Sequence, residues 1–155
     1  MSLRGVVVDL SCGNELRWFW RLFRLRERAR TKWGRDVLTF FVNRSAQRHG
    51  GYIGNGAVID GIPVLPHGLR GVYISRYARI GRECWIYQNV TIGEAGRRAP
   101  RIGDRCLIGA NAVLVGDITI GDDVKVGAGA VVSTDIPSGS TVVAQPPRIL
   151  TGGGA

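Results

Sequence analysis

The sequence is poor in the residues that bind metals and form disulfides. Its 155 residues include three cysteines, two histidines and one methionine. The cysteines are odd in number and irregularly spaced, and His49 and His67 lie far apart, so we expect neither a zinc site nor a disulfide framework. We expect Cys84 and Cys106 to be reduced core residues, and Cys12 is uninformative.

Long hydrophobic runs are also missing. No stretch approaches the ~20 apolar residues that a transmembrane helix needs. The short run Val6-Val7-Val8 is interrupted by Asp9 and lacks the basic start and the cleavage region of a secretory signal. We therefore expect a soluble, cytoplasmic protein.

Acidic residues are scarce, and basic residues outnumber them most strongly near the N-terminus. The chain has 21 Lys and Arg against 12 Asp and Glu, a formal net charge of +9. Residues 1–50 hold 11 of the basic residues and 4 of the acidic ones, which leaves a nearly balanced 10 against 8 in the rest. The positive field therefore belongs to the N-terminal segment.

What the sequence does have is an aliphatic residue at every sixth position, with one longer interval. A helix would space its apolar residues three or four apart and a strand two apart, whereas six residues fit one short strand and one corner. Glycine often follows the aliphatic residue, which suits a sharp corner. The pattern predicts an all-β solenoid of stacked coils. Its main members are Ile74, Ile80, Ile86, Ile92, Ile102, Ile108, Leu114, Ile120, Val126 and Val132, with weaker members at Ile53, Ile59 and Leu65.

The segment before the solenoid predicts a short helical cap. Residues 14 to about 34 have a helical pattern, with Asn14 as N-cap and Glu15 in the first turn, and Gly34 is expected to interrupt or end the helix. One side of this helix is apolar: Leu16, Phe19, Trp20 and Phe23. Much of its remaining surface is basic: Arg17, Arg21, Arg24, Arg26, Arg28, Arg30 and Lys32.

Two roles fit this basic, aromatic segment. Its charge suits an anionic membrane surface or a nucleic acid. A solenoid, however, needs its first coil covered, and the aromatic helix with the apolar residues between 37 and 42 could cover it. We favour a cap or an oligomer contact over peripheral membrane contact, and expect no nucleic-acid partner. The predicted organisation is a cap over residues 1–50, a β-helix over 51–150 and a flexible tail over 151–155.

The six-residue period fails twice, and each failure predicts a loop. Ile92 and Ile102 are ten apart, so the segment between them leaves the coil and carries Arg97 and Arg98. Leu65 and Ile74 are nine apart, and this earlier insertion carries His67. If three hexads close one turn, the two insertions lie on neighbouring corners. In a threefold oligomer, one subunit's His67 could then face another subunit's Arg97 and Arg98 across a shared cleft.

Several motifs resemble the hexapeptide-repeat acyltransferases, most of all the serine acetyltransferases and their short sugar-acetylating relatives. The resemblance covers about residues 50–150. It rests on Leu65-Pro66-His67-Gly68, Gly71-Val72-Tyr73-Ile74-Ser75, Val90-Thr91-Ile92-Gly93, Ala99-Pro100-Arg101-Ile102-Gly103-Asp104, Ile108-Gly109-Ala110-Asn111-Ala112, Val126-Gly127-Ala128-Gly129-Ala130-Val131-Val132 and Pro147-Arg148-Ile149.

This resemblance implies a left-handed parallel β-helix, a homotrimer and direct acetyl transfer from acetyl-CoA to a hydroxyl, without a metal. His67 would be the general base, because an imidazole is largely neutral near pH 7 and can still accept a proton. Arg98 matches the family's acceptor-binding arginine. By the same resemblance, backbone groups at Ala110 and Ala128 would contact the pantetheine arm, and Arg148 would reach the nucleotide phosphates.

The chain also departs from the serine acetyltransferases. Tyr52 stands where their base-orienting aspartate would be, so a backbone carbonyl, Asp60 or Glu94 would have to orient His67. Ala99 replaces a second histidine in the loop. Since acceptor-side features are lost while the base and the coenzyme groove are kept, we expect an altered acceptor.

A sugar hydroxyl on a glycan precursor is the favoured acceptor, with free serine as the alternative. Two other classes of β-helix protein fit the sequence less well. A β-helical zinc carbonic anhydrase needs three histidines, and this chain has two. A non-catalytic scaffold would keep the hexads, but it would not need a histidine in a repeat break.

Overall fold

The computed structural model describes residues 16–146, which form two helices followed by thirteen short strands. The helices are α1 (Arg17–Arg28) and α2 (Lys32–Arg48). The strands are β1 (Tyr52–Ile53), β2 (Val58–Ile59), β3 (Tyr73–Ile74), β4 (Arg79–Ile80), β5 (Trp85–Ile86), β6 (Thr91–Gly93), β7 (Arg101–Ile102), β8 (Leu107–Ile108), β9 (Val113–Val115), β10 (Thr119–Ile120), β11 (Lys125–Val126), β12 (Val131–Val132) and β13 (Thr141–Val142).

The strands form three parallel sheets, which are the three faces of a prism. The first face is β1-β3-β6-β9-β12, the second is β2-β4-β7-β10, and the third is β5-β8-β11-β13. Single bridges at Val64 and Ile136 extend the third and second faces by one position each. The chain visits the faces in turn, so three short strands make one coil. The predicted solenoid with an N-terminal helical cap is confirmed.

The hexad aliphatics form the core by stacking coil upon coil. On the first face the register pairs each inward aliphatic residue with its equivalents in the coils above and below. This column is Ile53, Ile74, Ile92, Leu114 and Val132, none more than 3% exposed. From β1 to β12 every strand therefore buries its inward aliphatic side chain and turns its neighbour outward, as a pleated strand must. In the last strand, β13, Val142 is only partly buried.

A glycine that directly follows a buried aliphatic residue is needed where the next coil lies too close for a side chain. A Cβ on Gly81 would lie 2.6 Å from the carbonyl carbon of Gly103 in the next coil, closer than the coils can tolerate. The left-handed corner conformation is shared between glycines such as Gly71 and Gly129, with φ of 66° and 69°, and asparagines such as Asn89 and Asn111, with φ of 57° and 59°. Asparagine adopts this region more readily than most residues.

The cap contains two helices where the sequence predicts one. Residue 29 is extended, and the Thr31 hydroxyl caps α2 by accepting a hydrogen bond from the Gly34 N–H at 3.2 Å. Gly34 therefore lies in the first turn of α2, and the predicted helix end at Gly34 is wrong. Asn14 and Glu15 lie outside the described residues.

The cap covers the first coil with a small aromatic cluster. Phe19 and Phe23 are at most 1% exposed and pack with Trp20. The guanidinium of Arg26 is also buried, 4.3 Å above the Phe23 ring, and burial lowers its pKa. The prediction of a surface position for Arg26 is therefore wrong. Helix α2 contacts β1, and the Gly51 N–H donates to the Ala46 carbonyl at 3.0 Å.

The cysteines of the β-helix are core residues. Cys84 and Cys106 are buried and free, as predicted. They occupy adjacent positions in successive coils, because Trp85 pairs with Leu107 directly after them. The Cys84 thiol lies 3.2 Å from the Gly103 carbonyl. Cys12 lies outside the described residues.

Loss of one stacked aliphatic side chain should destabilise the whole solenoid. We expect Ile74→Ala to lower the free energy of unfolding by about 2–5 kcal/mol, because its cavity interrupts the core column. Val131→Ala is the matched control on the same face, where the side chain is 71% exposed. Its effect should stay within about 0.5 kcal/mol. Denaturant unfolding followed by circular dichroism measures both, and equal losses would contradict the stacking account.

Candidate active site

The two repeat breaks leave the prism at neighbouring edges. Residues 66–71 lie where the chain passes from the third face to the first, and we call this edge the histidine edge. Residues 94–100 lie where it passes from the first face to the second, and we call this edge the hairpin edge. The neighbouring corners that the spacing predicts are therefore observed.

The insertion that carries His67 is a compact double turn. The Gly68 N–H donates to the Leu65 carbonyl and the Val72 N–H to the Leu69 carbonyl, each at 3.0 Å. The Leu69 side chain is fully buried and anchors the turn. Gly71 has a φ of 66°, and a Cβ there would collide with the Asn89 side chain. The turn is thus held on both sides while His67 stays exposed.

His67 lines an open, basic pocket of about 450 Å³. The pocket is also lined by Arg48, His49 and Arg70, so two imidazoles and two guanidiniums surround it. The ring of Tyr87 lies 6.1 Å from the His67 ring, centroid to centroid, at 53°. This arrangement favours an anionic group beside an imidazole that solvent and substrate can reach.

His49, like Arg48 and Arg70, lines this pocket although the sequence did not indicate a site role for it. It ends α2, and the Gly71 N–H donates to the Gly50 carbonyl at 2.8 Å, which ties the helix end to the His67 turn. Gly50 and Gly71 are separated by one full coil plus the three-residue insertion. This spacing predicts the contact between Gly50 and Gly71 only if the first coil is known to begin at Gly50, and the hexad pattern does not extend that far.

The predicted coenzyme contacts lie on the same edge as His67. Ala110 and Ala128 are stacked one coil apart, with the Gly129 N–H donating to the Ala110 carbonyl at 2.8 Å. Both alanines expose some of their surface, so a ligand could approach the backbone there. Arg148, the third predicted contact, lies outside the described residues.

Gln88 is a second residue that the sequence did not reveal. It lies on the histidine edge directly before Ala110 in the stack, because its carbonyl accepts from the Asn111 N–H at 3.1 Å. Its side-chain Oε1 is buried and has no hydrogen-bond partner among the described residues. An unpaired buried acceptor is destabilising, so this amide is a polar position on the histidine edge that the described side chains do not satisfy.

The loop that carries Arg97 and Arg98 is a tight β-hairpin. The Ala95 N–H donates to the Arg98 carbonyl at 2.8 Å, and the Arg98 N–H donates back to the Ala95 carbonyl at 3.3 Å. Gly96 supplies the turn with a φ of 65°. Arg97 therefore sits exposed at the tip of a short, defined projection.

Two polar anchors hold the hairpin on the prism. At its start, the buried hydroxyl of Ser75 donates to the Glu94 carboxylate and accepts from the Tyr77 N–H at 3.1 Å. At its end, the Arg98 Nη1 donates to the Asp117 Oδ2 at 2.8 Å, while the Arg101 Nη1 lies 3.2 Å from the Asp117 Oδ1. Asp117 thus engages one nitrogen of the guanidinium predicted to bind the acceptor.

The Arg98–Asp117 pair is retained at neutral pH. The hydrogen bond from Arg98, followed by the charges of Arg98 and Arg101, holds the pKa of Asp117 below its ordinary value. When folding lowers the pKa of a carboxyl group, the ionised carboxylate stabilises the fold at pH values above its ordinary pKa. That stabilisation is lost as the pH falls through the lowered pKa. The hairpin should therefore keep this anchor across the neutral range.

Within one subunit, neither predicted carboxylate reaches His67. Glu94 is bonded to Ser75 at the hairpin edge, and Asp60 follows β2 at the edge between the second and third faces. Neither lines the His67 pocket. Tyr52, which replaces the family's aspartate, stacks on Tyr73 with centroids 5.2 Å apart. A backbone carbonyl is the one predicted alternative that this geometry does not oppose.

The described part of the chain contains neither a metal-binding cluster nor a membrane-spanning helix. Within residues 16–146, no group of three or more His, Cys, Asp or Glu side chains is placed to hold a metal ion. In the same part of the chain, neither helix has the length and apolar character needed to cross a membrane.

Removal of the Asp117 anchor should loosen the hairpin. We expect Asp117→Asn to speed tryptic cleavage after Arg97 and Arg98 several-fold, since local opening governs proteolysis of a short loop. Asp123→Asn is the control, because Asp123 makes a comparable pair with Arg105, at 2.8 Å, away from the hairpin. Mass spectrometry of the early fragments distinguishes the variants. Cleavage that is unchanged in Asp117→Asn would show that the ion pair does not hold the loop.

Comparison with known proteins bears on the repeat and on the fold. Residues 99–134 match the family model "Bacterial transferase hexapeptide (six repeats)". A serine acetyltransferase from Staphylococcus xylosus is 44% identical over 99 residues, which are 61% of this chain and 45% of that protein. A serine acetyltransferase from Synechocystis is 47% identical over 105 residues, 65% of this chain and 39% of that protein. The chain thus spans less than half the length of these curated relatives.

Solved structures extend the likeness to the fold. The serine acetyltransferase of Neisseria gonorrhoeae, crystallised in complex with serine, matches with a TM-score of 0.73 and 33% identity. The match covers 84% of this chain and 55% of that one. It confirms the left-handed parallel β-helix with a helical cap. By its repeat, its sequence and its fold, the described chain is a hexapeptide-repeat β-helix protein similar to the serine acetyltransferases, as its motifs predict.

Proposed function

We propose that this chain is an acetyl-CoA-dependent O-acetyltransferase with His67 as its general base. The observation that carries the proposal is the single edge shared by His67, Ala110 and Ala128. A base at one end of a column of small residues fits a thioester substrate that lies along the edge. The curated relatives named serine acetyltransferases support the same reaction.

In this mechanism His67 accepts the proton of the acceptor hydroxyl as the oxygen attacks the thioester carbon of acetyl-CoA. The new C–O bond forms, the C–S bond breaks, and the proton passes from the imidazole to the departing thiolate. No covalent bond to the protein is needed. The backbones of Ala110 and Ala128 would hold the pantetheine arm.

Serine is the acceptor that the observations favour, although the sequence alone favours a sugar. The relatives are named for serine, and the gonococcal structure was crystallised with it. Arg48 and Arg70 line the pocket beside His67, and their charge suits a carboxylate better than a neutral sugar. A sugar hydroxyl stays the second candidate because Ala99, which is 4% exposed, offers no side chain to replace the family's second histidine.

The proposed assembly is a homotrimer. Within one chain the base and the hairpin lie on different edges, so Arg97 and Arg98 reach His67 only from a neighbouring subunit. A threefold axis that places the hairpin edge of one subunit against the histidine edge of the next would complete the cleft. Arg97 and the guanidinium nitrogens of Arg98 that Asp117 leaves available would then face the acceptor. A cytoplasmic location stays a prediction.

Release of the coenzyme A thiol, measured with acetyl-CoA and a panel of acceptors, tests the reaction and the base together. We expect turnover with serine above that with homoserine, amino sugars and neutral sugars. His67→Asn should lower kcat by about 10²–10⁴-fold, because the hydroxyl loses its proton acceptor. His49→Asn is the matched variant, a second imidazole from the same pocket.

The proposal is decided by which histidine variant loses more activity and by which acceptor is turned over fastest. A larger loss in His49→Asn would assign the base to His49 and overturn the proposed mechanism. Faster turnover with a sugar would replace serine as the acceptor. Failure of the intact protein to turn over any acceptor would favour a non-catalytic scaffold.

Mixed oligomers test whether the cleft is shared. We expect His67→Ala and Arg98→Ala each to be inactive alone. Co-refolded at equal amounts, they should recover about a quarter of wild-type activity, since about one interface in four pairs an intact His67 with an intact Arg98. Tagged co-purification confirms that the subunits mix. Mixed oligomers without recovered activity would contradict a cross-subunit cleft.

A further inference from the structure

We propose that the α1–α2 pair docks the protein on an anionic lipid surface, a role separate from the proposed acetyl transfer. The sequence favours a cap or an oligomer contact for this segment. The structure shows that capping uses only part of its apolar surface. The inward side chains of the two helices are Phe19, Phe23, Val42 and Ala46, each at most 1% exposed.

The two helices present more apolar surface to the outside than covering the first coil requires. Seven large apolar side chains in the described chain are more than half exposed, and five of them belong to these two helices. The five are Trp18 at 70%, Leu25 at 53%, Trp33 at 78%, Phe40 at 65% and Phe41 at 51%. Tryptophan and phenylalanine are the side chains that suit the boundary between lipid headgroups and acyl chains.

Their spacing places them in stripes along the helices. On α2, Trp33, Phe40 and Phe41 stand at positions i, i+7 and i+8, with Val37 between them at i+4. On α1, Trp18 and Leu25 stand at i and i+7. Both spacings keep side chains on one side of a helix. Each helix therefore has an inward side for the core and an outward apolar stripe.

A groove beside α1 combines this apolar surface with positive charge. It has a volume of about 750 Å³ and is lined by Trp18, Leu22, Leu25 and Ile62. Arg21 and Arg28 line the same groove, and neither pairs with a carboxylate within residues 16–146. The Arg21 guanidinium lies 5.3 Å from the Trp18 ring, so charge and aromatic surface are in contact.

The charge of the whole segment indicates the partner. Residues 16–50 contain ten Lys and Arg against two acids, Glu27 and Asp36. Of the ten cations only Arg26 is buried. Long basic side chains can place their stems on apolar surface and their charges among anionic headgroups. A second copy of this chain would bring an equally positive surface against the first, and like charges oppose that contact.

Vesicle co-sedimentation of the full chain tests the proposal. We expect binding to vesicles made of equal parts phosphatidylglycerol and phosphatidylcholine, little binding to pure phosphatidylcholine, and release by salt. Trp18→Ser combined with Trp33→Ser should weaken binding at least about tenfold, because the interfacial anchors are lost. Arg21→Glu combined with Arg28→Glu should weaken it to a similar extent.

The matched control reverses two charges on the β-helix in place of the two on α1. Arg79→Glu combined with Lys125→Glu alters two exposed strand residues and should bind vesicles more tightly than the Arg21/Arg28 variant. Thermal melting establishes that each variant is folded, and thiol release with a soluble acceptor should be unchanged in the Trp18/Trp33 variant.

Two results would overturn the proposal. Equal binding by the wild type and the helix variants, or no binding to anionic vesicles at all, would exclude lipid docking through this surface. A fall in oligomer mass for the Trp18/Trp33 variant in light scattering, without a change in vesicle binding, would assign the surface to a second copy of the chain. Because these readouts do not depend on acetyl transfer, they stand or fall separately from the proposed reaction.

Discussion

Stacking of one coil on the next is the constraint on which the rest of the molecule depends. From β1 to β12 each strand buries one aliphatic side chain, and that side chain must meet its equivalents in the adjacent coils for the core to be continuous. A residue that does not fit the period cannot be absorbed within a face, because it would turn every later side chain to the wrong side. Extra residues therefore leave at an edge. The two insertions do so, and the groups proposed for chemistry lie on them or on the edges they leave.

The period explains which features could be predicted from the sequence. The faces, the neighbouring positions of the two insertions and the stacking of Ala110 on Ala128 all follow from counting residues. The second helix, the approach of His49 to His67 and the buried Oε1 of Gln88 did not follow. The helices have no six-residue register, and their break depends on a local cap at Thr31. The position of His49 depends on how the helix end meets the first coil, which is a tertiary contact without a sequence period.

Arginine illustrates why composition alone is ambiguous in this chain. Arg26 is buried against an aromatic ring, Arg98 is held by Asp117, and Arg21 lies in an apolar groove. All three contribute equally to the net charge, yet Arg26 is withdrawn from the surface, Arg98 is tied to Asp117 through one nitrogen, and Arg21 makes no ion pair within residues 16–146. Their roles follow from burial and from the presence of a carboxylate. A basic segment can therefore cover the first coil and still present a positive, aromatic surface outward.

The central claim is that the histidine edge of one subunit and the hairpin edge of the next enclose the coenzyme. A crystal structure of the protein with coenzyme A tests this most directly. The account predicts the pantetheine arm along Ala110 and Ala128, its sulfur within reach of His67, and the hairpin of an adjacent subunit on the opposite wall. Coenzyme A bound away from this edge, or a hairpin that faces solvent in the bound assembly, would contradict it.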